Sequence, residues 1–334
     1  MRRVALLASL VALALGASPA GAASWAQPQI RFVVAEGVMG PSVSGFRPQA
    51  PLTRGALTAA MTRVAGSAQA PADPDRVVRM RALEHALVRA AGMLDTARHV
   101  QEEAAAAGLA PPGRFGTEVI ARMLGLRYNH PSADDGLELR PGDVATRAEA
   151  AYSFAKLLQL SEWTAPYVED RAEAFDLPAL TAWQRRILTR AVSFVGFPYV
   201  WGGTSERTQT LFGVTSRGGF DCSGFAWRIY RLQHYPGGGR LEDVLRGRTA
   251  SQMAGEVPKS ARIARAGLRP GDLVFFSEEG RQARASEVSH MGIYMGRGWF
   301  VHSSSQGTTM TTLSGWYAER FAWGRRPLRE AGLV

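Results

Sequence analysis

The chain has 334 residues, of which 46% are hydrophobic and 20% are charged, and it carries a net charge of +10 and a single cysteine. This composition excludes a disordered chain, the length allows two or three domains, and one cysteine excludes an internal disulfide. Residues 1–178 hold 18 basic and 18 acidic side chains, whereas residues 179–334 hold 21 and 11, so the excess positive charge lies in the C-terminal half.

The first 23 residues have the features of a secretory signal. Arg2 and Arg3 precede an apolar stretch, and small residues follow up to Ala23. The apolar stretch is short for a membrane span, so we expect residues 1–23 to be a cleaved signal peptide. No later segment has the length of a span, which predicts a secreted mature protein without one.

Export limits the partners that the basic C-terminal half could bind. Outside the membrane, clustered positive charge predicts an anionic polymer of the cell wall as a partner, although a bias toward arginine explains the charge equally well. Nucleic acid is disfavoured as a partner because the chain is predicted to be exported and shows no motif that combines basic and aromatic residues.

Two segments of the N-terminal half repeat without gaps, at residues 46–66 and 139–159. Each carries Arg-Pro, then Thr-Arg five residues after the proline, then an alanine-rich helical pattern. In the second copy Thr146 and Glu149 have the spacing of a capping box. A linker near 67–75 follows the first copy, and the helical region after it is either a degenerate middle module or plain connecting helices.

A short helical pattern that ends in glycine precedes each copy, and the whole unit resembles the S-layer homology module. The resemblance implies an all-α region over 24–160 that binds an anionic cell-wall polysaccharide. It also implies that Arg54 and Arg147, the arginines of the two Thr-Arg pairs, contribute to the binding pocket. The alternative is that these arginines only cap or bridge helices.

An acidic connector is predicted over 161–179, and the last domain is predicted over 180–334. This domain opens with a helical pattern over 180–195, in which apolar residues recur at helical spacing. The pattern stops at Gly196, and Pro198 follows, as is typical of a helix end.

The cysteine at position 222 follows two glycines and precedes a helical pattern with Phe225, Ile229 and Leu232 on one face. It is therefore expected at the start of a helix, where the dipole and the unpaired amides favour a thiolate. This position indicates a nucleophile. A small buried hydrophobic side chain is the structural alternative.

Two histidines follow in a predicted β-hairpin. His290 opens the first strand, His302 closes the second, and Gly296 and Gly298 mark the bend. Antiparallel pairing can bring both imidazoles to one face, where they could act as base and orienting group for Cys222. Structural strand histidines and a zinc site with Cys222 are the alternatives, but no fourth ligand has suitable spacing, so neither metal nor cofactor is predicted.

Five segments carry a second resemblance, to the NlpC-type cell-wall cysteine peptidases. They are FPYVWGG, FDCSGF, RPGDLVFF, SHMGIYMG and FVHSSS, in this order from Phe197 to Ser305. The resemblance implies an α+β, papain-like domain in which helices pack on an antiparallel sheet. It implies cleavage of amide bonds in peptidoglycan stem peptides, between D-glutamate and the diamino acid.

The resemblance also assigns roles to single residues. Cys222 would be the nucleophile, His290 the general base and His302 the third polar member. Tyr199, which lies near the thiol in the family, would help to polarise the scissile carbonyl. The backbone amide of Cys222 is a natural part of an oxyanion hole.

Three further residues are candidates for substrate contact. Asp221 and Ser223 hold the substrate amine in family members that require a free amino terminus, and the sequence leaves that requirement open. Trp201 is the third candidate, although an ordinary core aromatic is the interpretation that the sequence favours. The loops at 204–217 and 278–288 are basic and could overhang the cleft.

Two alternatives to the peptidase remain at this point. One is a wall-binding protein in which the domain recognises peptide without cleaving it, which the intact Cys222, His290 and His302 oppose. The other is an amidase or acyltransferase that uses the same thiol chemistry on another amide.

Overall fold

The computed structural model describes residues 24–333, so the predicted signal peptide at 1–23 lies outside the described residues. No helix within the described range is long and apolar enough to cross a membrane. The N-terminal half is built from seven α-helices of this range: α1 Gln27–Ala35, α2 Arg54–Ala65, α3 Met80–Ala90, α4 Leu94–Ala106, α5 Phe115–Met123, α6 Arg147–Leu158 and α7 Thr164–Glu173.

The two repeated segments begin their second helices in the same way. The Thr53 hydroxyl accepts a hydrogen bond from the amide of Ala56 at the start of α2, and Thr146 does the same for Glu149 at the start of α6. The segment just before α3 pairs with the starts of both α2 and α6, so the middle helical region belongs to the same helical array as the two repeats. Three antiparallel bridges link these helix starts: Pro51 with Thr146, Thr53 with Val77, and Arg79 with Val144.

The predicted connector over 161–179 is a packed element. Its helix α7 contacts α4 and α5, and Val168 and Ala172 are buried there. The chain then enters the C-terminal half, where the Phe175 ring meets Trp299 edge to face, with ring centroids 5.1 Å apart. The connector therefore fixes the helical half to the C-terminal half.

Arg122 makes a second link between the two halves. Its guanidinium donates hydrogen bonds to the carbonyl oxygens of Gly196, at 2.5 Å, and Gln306. Glycine is favoured at 196 and 307 because both have positive φ values, 95° and 75°, and a Cβ at 307 would also lie 2.8 Å from the carbonyl oxygen of Phe197. The close approach packs the helical half directly against the C-terminal half.

The C-terminal half is an antiparallel sheet with helices packed on it, which confirms the predicted α+β class. The central sheet has the strand order β8-β7-β6-β5-β9, and α9 packs against β6 and β7. The helices are α8 Ala182–Ser193, α9 Cys222–Tyr230, α10 Leu241–Val244, α11 Ala250–Gly255, α12 Trp316–Arg320 and α13 Pro327–Glu330. The strands are β1 Thr204–Ser205, β2 Gln209–Leu211, β3 Val214–Ser216, β4 Gly219–Phe220, β5 Leu273–Phe276, β6 His290–Gly296, β7 Trp299–Ser304, β8 Gly307–Thr312 and β9 Phe321–Arg325.

The two long loops fold differently from each other. Most of 204–217 forms the hairpin β2–β3, and β3 packs against the 3₁₀ turn Ser132–Leu137 of the helical half. Phe212, at the tip of this hairpin, is 81% exposed and has a φ of 51°. The other loop, 278–288, contains two short 3₁₀ turns, of which Ala285–Glu287 contacts α11.

Candidate active site

Cys222 is the first residue of α9, and Asp221 fixes the start of this helix. The Asp221 carboxylate accepts hydrogen bonds from the Gly224 amide at 2.5 Å and from the Ser223 hydroxyl at 3.1 Å. Position 224 must be glycine, because a Cβ there would overlap the carbonyl oxygen of Gly203. The first turn of α9 is therefore held against the loop at 203.

His290 and His302 form a hydrogen-bonded pair on one face of the sheet. The distance from Nε2 of His290 to Nδ1 of His302 is 2.8 Å. Gly292 makes room for this pair, because a Cβ there would lie 3.1 Å from Cβ of His302 and 2.6 Å from Cδ2 of Phe300. The missing side chain at 292 thus lets the two imidazoles meet diagonally across β6 and β7.

The thiol of Cys222 lies at the start of β6. The backbone amides of Ser223 and Met291 face its sulfur and act to lower its pKa, and Met291 follows His290 directly. Because Nε2 of His290 is bonded to His302, Nδ1 is the ring atom left to exchange a proton with the thiol. The structure thus brings Cys222, His290 and His302 together.

Burial dominates the protonation of this group. It raises the pKa of Cys222 to about 12, with a further rise from the Asp221 charge, and it lowers the pKa of His290 to about 4. Burial and the neighbouring His290 also lower the pKa of His302 well below its usual value. The expectation that the helix start favours a thiolate is wrong for this pocket, because the loss of water outweighs the amides that face the sulfur. The resting group is a neutral thiol with neutral imidazoles.

The hydrogen bond between the two imidazoles determines their tautomers if His290 is the base. If His290 is the base, its Nδ1 must be free of a proton. The ring proton of His290 is then on Nε2, which donates a hydrogen bond to Nδ1 of His302. His302 then keeps its own proton on Nε2. Over residues 24–333, no group of three or more His, Cys, Asp or Glu side chains is arranged to hold a metal ion.

Tyr199 belongs to the same site. Burial and the proximity of Cys222 and Asp221 raise the pKa of its phenol, which therefore stays protonated and able to donate a hydrogen bond. Its backbone forms a parallel bridge with Phe220, two residues before Cys222. Asn129 of the helical half holds the same backbone, since its side chain accepts from the Tyr199 amide at 2.8 Å and donates to the Tyr199 carbonyl at 3.3 Å.

The side chains of Asp221 and Ser223 are already occupied by Arg248. Its guanidinium donates to the Asp221 carboxylate at 3.1 and 3.0 Å, and to the Ser223 hydroxyl at 2.8 Å. It also donates to the carbonyl of Gly202 at 2.9 Å. Arg248 thus joins the start of α9 to the loop that follows Trp201.

Trp201 is 57% exposed, so the favoured interpretation of a core aromatic is wrong. Its amide donates to a carboxylate oxygen of Asp135, in the helical half, at 3.1 Å. Burial raises the pKa of Asp135, whose other carboxylate oxygen has no hydrogen-bond partner in the described structure. The indole is therefore available at the surface two residues after Tyr199.

The two arginines of the repeats differ in their surroundings. Arg54 is exposed at the first position of α2. Arg147 is partly buried, donates to the Phe46 carbonyl at 2.7 Å and lies over the Phe46 ring at 4.6 Å. Arg147 bridges helix and loop, while Arg54 leaves its guanidinium at the surface.

Sequence reasoning missed three residues of the site. Asn129 and Asp135 lie in the loop of the second repeat, and their partners are backbone groups 66 to 70 positions later. Arg248 precedes a visible capping box, Thr249 with Gln252, which indicates a helix start but gives no sign of a partner at Asp221.

The comparisons with known proteins agree with this geometry. Residues 196–326 match the NlpC/P60 family, and residues 19–58 match the S-layer homology domain. The chain therefore contains an NlpC/P60 domain preceded by an S-layer homology domain.

Two curated relatives match the C-terminal half. The murein DD-endopeptidase MepH of Escherichia coli is 34% identical over 141 residues, which are 42% of this chain and 44% of that protein. The gamma-D-glutamyl-L-lysine dipeptidyl-peptidase of Bacillus subtilis is 30% identical over 130 residues, 38% of this chain and 34% of that protein. The chain thus spans less than half the length of each. A solved NlpC/P60 family protein from Bacillus cereus is 25% identical with a TM-score of 0.33, covering 46% of this chain and 42% of that one.

Proposed function

We propose that this chain is an exported, wall-associated peptidoglycan endopeptidase that cuts stem peptides with a Cys-His-His mechanism. Two observations carry the proposal: the 2.8 Å hydrogen bond between the imidazoles of His290 and His302, and the position of the Cys222 sulfur beside Met291, the residue that follows His290. An S-layer homology domain ahead of an NlpC/P60 domain supports the wall as the place of action. The proposed domains are a signal peptide at 1–23, a helical region at 24–160, a connector at 161–179 and a peptidase domain at 180–334.

Acylation begins from the neutral pair. The Cys222 sulfur forms a bond to the carbonyl carbon of the scissile amide while its proton moves to Nδ1 of His290. The positive charge on His290 is stabilised by the hydrogen bond that its Nε2 donates to the neutral His302. The tetrahedral intermediate then collapses, the C–N bond breaks, and the leaving amine takes the proton from Nδ1.

Deacylation reverses the roles. Water attacks the thioester carbonyl and gives a proton to Nδ1 of His290. The C–S bond breaks, and the proton returns to the sulfur. Because burial keeps the pKa of His302 low, His302 remains a neutral acceptor throughout and does not compete for the proton.

Two donors are available to the oxyanion. The amide of Cys222 is the first in α9, so no intrahelical carbonyl precedes it. The Tyr199 phenol stays protonated beside the thiol, as its raised pKa requires. Removal of one such donor in other enzymes costs about 10²–10³ in kcat, which is the loss we expect for Tyr199→Phe.

We propose the bond between D-glutamate and the diamino acid as the site of cleavage. The two relatives have different names, one a murein DD-endopeptidase and the other a gamma-D-glutamyl-L-lysine dipeptidyl-peptidase. An assay of the cleavage site must therefore present the chain with both the D,D bond and the D-glutamyl bond. Synthetic stem peptides that contain each bond, followed by mass analysis of the products, should show cleavage after D-glutamate, and cleavage only at the D,D bond would refute this assignment.

The same assay separates the alternative functions. A wall-binding protein without activity leaves the peptides intact. An acyltransferase joins the acyl part to an added amine such as hydroxylamine or glycine in preference to water, and a peptidase yields mainly the free acid. We expect the free acid and its complete loss in Cys222→Ala.

We also propose that residues 24–160 bind an anionic wall polysaccharide and that Arg54 takes part. Its guanidinium is exposed, whereas Arg147 is engaged with Phe46. Sedimentation of the full chain with purified walls should weaken several-fold in Arg54→Ala and stay unchanged in Arg63→Ala, which removes another exposed arginine from α2. Equal binding by both variants would contradict the role of Arg54.

A further inference from the structure

A large open cavity lies at the end of the central sheet that is far from the active site. Its volume is about 920 Å³, and it is lined by the segment that leads into β5 and by residues that follow β9. It therefore lies where β5 begins and β9 ends. His290 pairs with Phe276, the last residue of β5, at the opposite end of the sheet. The cavity is thus separate from the catalytic group.

The acidic side chains that line this cavity within residues 24–333 are Glu256 and Glu330, and both are already paired. Their carboxylates lie 2.7 and 2.8 Å from the guanidinium of Arg325, which is buried. Arg326, which also lines the cavity, is paired with Asp272 at 2.8 Å. The lining therefore has no acidic group left to pair with its other arginines.

Those other arginines are Arg262, Arg269 and Arg329, which form no ion pair and no side-chain hydrogen bond with any residue of the described range. Arg269 and Arg329 are exposed. Arg262 is held in place, because its Cζ lies 3.5 Å from the centre of the buried Trp323 ring and its Nε is buried. A stacked guanidinium keeps its planar fork in one orientation, which favours pairing with an oxyanion such as phosphate or carboxylate.

A second cavity, of about 410 Å³, adjoins the first, because Glu256 and Glu330 line both. It adds Arg240 and Arg246, which are exposed and whose side chains likewise have no acidic partner among residues 24–333. Its third acidic residue, Asp243, is paired with an arginine outside the lining. The unpaired guanidinium groups are thus spread over two neighbouring cavities, an arrangement that fits a chain of anionic groups better than one small anion.

We propose that the two cavities form a second wall-binding site, which takes an anionic wall polymer. Repeating phosphate or carboxylate groups of the polymer would pair with five arginines, here called the arginine site: Arg240, Arg246, Arg262, Arg269 and Arg329. The choice of a wall polymer rests on the proposed function at the wall. The site is distinct from the helical region at 24–160, and it lies in the half that holds 21 basic and 11 acidic side chains. A polymer bound there leaves the opposite end of the sheet open to stem peptides.

Binding is measured with the full chain and two labelled probes, by fluorescence anisotropy at fixed ionic strength. Linear polyphosphate presents phosphate groups, and polygalacturonate presents carboxylate groups. We expect the wild-type chain to bind at least one of them, more weakly as salt is added. The double variant Arg269→Ala/Arg329→Ala should bind that probe at least about tenfold more weakly, because it loses two charge-assisted contacts. The probe that binds more tightly identifies the anionic group.

The matched control is the double variant Arg207→Ala/Arg281→Ala. It removes two exposed arginines of the same half that line neither cavity, so its net charge changes equally. Its affinity should stay within about twofold of wild type. Equal weakening in both double variants overturns the inference, because it shows attraction by net charge alone. Arg262→Ala should also weaken binding, and if it fails to fold, the exposed pair decides the outcome.

Hydrolysis of a soluble stem peptide separates this inference from the proposed function. The rate should be unchanged in Arg269→Ala/Arg329→Ala, since both residues lie at the far end of the sheet. A wild-type chain that binds the polymer and hydrolyses no stem peptide refutes the proposed function and leaves the arginine site intact. Failure of the wild-type chain to bind either polymer overturns the arginine site. Tighter binding of single-stranded DNA than of both polymers also overturns it, because the surface would then be one for nucleic acid.

Discussion

Asn129 of the helical half is hydrogen-bonded to Tyr199, the proposed oxyanion donor, and its removal tests whether the helical half takes part in catalysis. The side chain makes two hydrogen bonds to the backbone of Tyr199, at 2.8 and 3.3 Å. Each such bond contributes about 1 kcal/mol net, so Asn129→Ala should release about 2 kcal/mol of restraint on this segment. If all of it acts on the transition state, kcat falls by about 30-fold, which is the upper limit of the effect.

The assay is steady-state hydrolysis of an N-acetylated stem peptide, together with thermal unfolding. The matched control is Gln101→Ala, which removes an amide that bonds to the backbone of Gly116 and Pro111 within the helical half. The control should lose stability with kcat unchanged. Asn129→Ala with a wild-type kcat would refute the reasoning, since it would show that the Tyr199 segment keeps its position without the helical half.

Three further predictions concern the histidines. Gly292→Ala should lower kcat by at least about tenfold, because its Cβ would lie 2.6 Å from Phe300 and would displace His302. The control is Gly113→Ala, which has open space around it and should leave kcat unchanged. A Gly292→Ala variant with wild-type kcat would contradict the packing described for this pair of histidines. The acid limb of kcat/KM should fall near pH 4, as burial lowers the pKa of His290 to about 4, and a limb near 6.5 would contradict this. Burial lowers the pKa of His290 to about 4 and that of His302 well below its usual value, so the unfolded histidines take up protons before the folded ones. The free energy of unfolding should therefore decrease as pH falls from about 7 to 4, and His302→Gln should flatten this dependence.

The elements of the site could be predicted because each has a local cause. Threonine before a helix start caps it, as at Thr53 and Thr146, and glycines permit the hairpin bend after β6. A cysteine between glycines and an amphipathic segment marks the start of α9. The sequence pattern places Leu232 on the buried face of this helix, but the helix stops at Tyr230 and Leu232 is exposed beyond it.

The parts of the site and fold that could not be predicted depend on contacts between residues far apart in the sequence, which leave no local pattern. Arg248 reaches Asp221 through an irregular segment, and Asn129 reaches Tyr199 from the other half of the chain. The bridges that include the middle helical region in the array are backbone contacts, so its sequence left two interpretations open. The pKa of Cys222 depends on how deeply packing buries the sulfur, and this outweighs the helix start that the sequence does show.

We propose above that Cys222, with His290 and His302, hydrolyses amide bonds of stem peptides. The most direct test of this proposal is incubation of purified peptidoglycan with the full chain and with Cys222→Ala, followed by mass spectrometry of the released fragments. We expect fragments with new carboxyl and amino ends at the D-glutamyl bond from the wild-type chain, and none from the variant. Identical products from both proteins would contradict it.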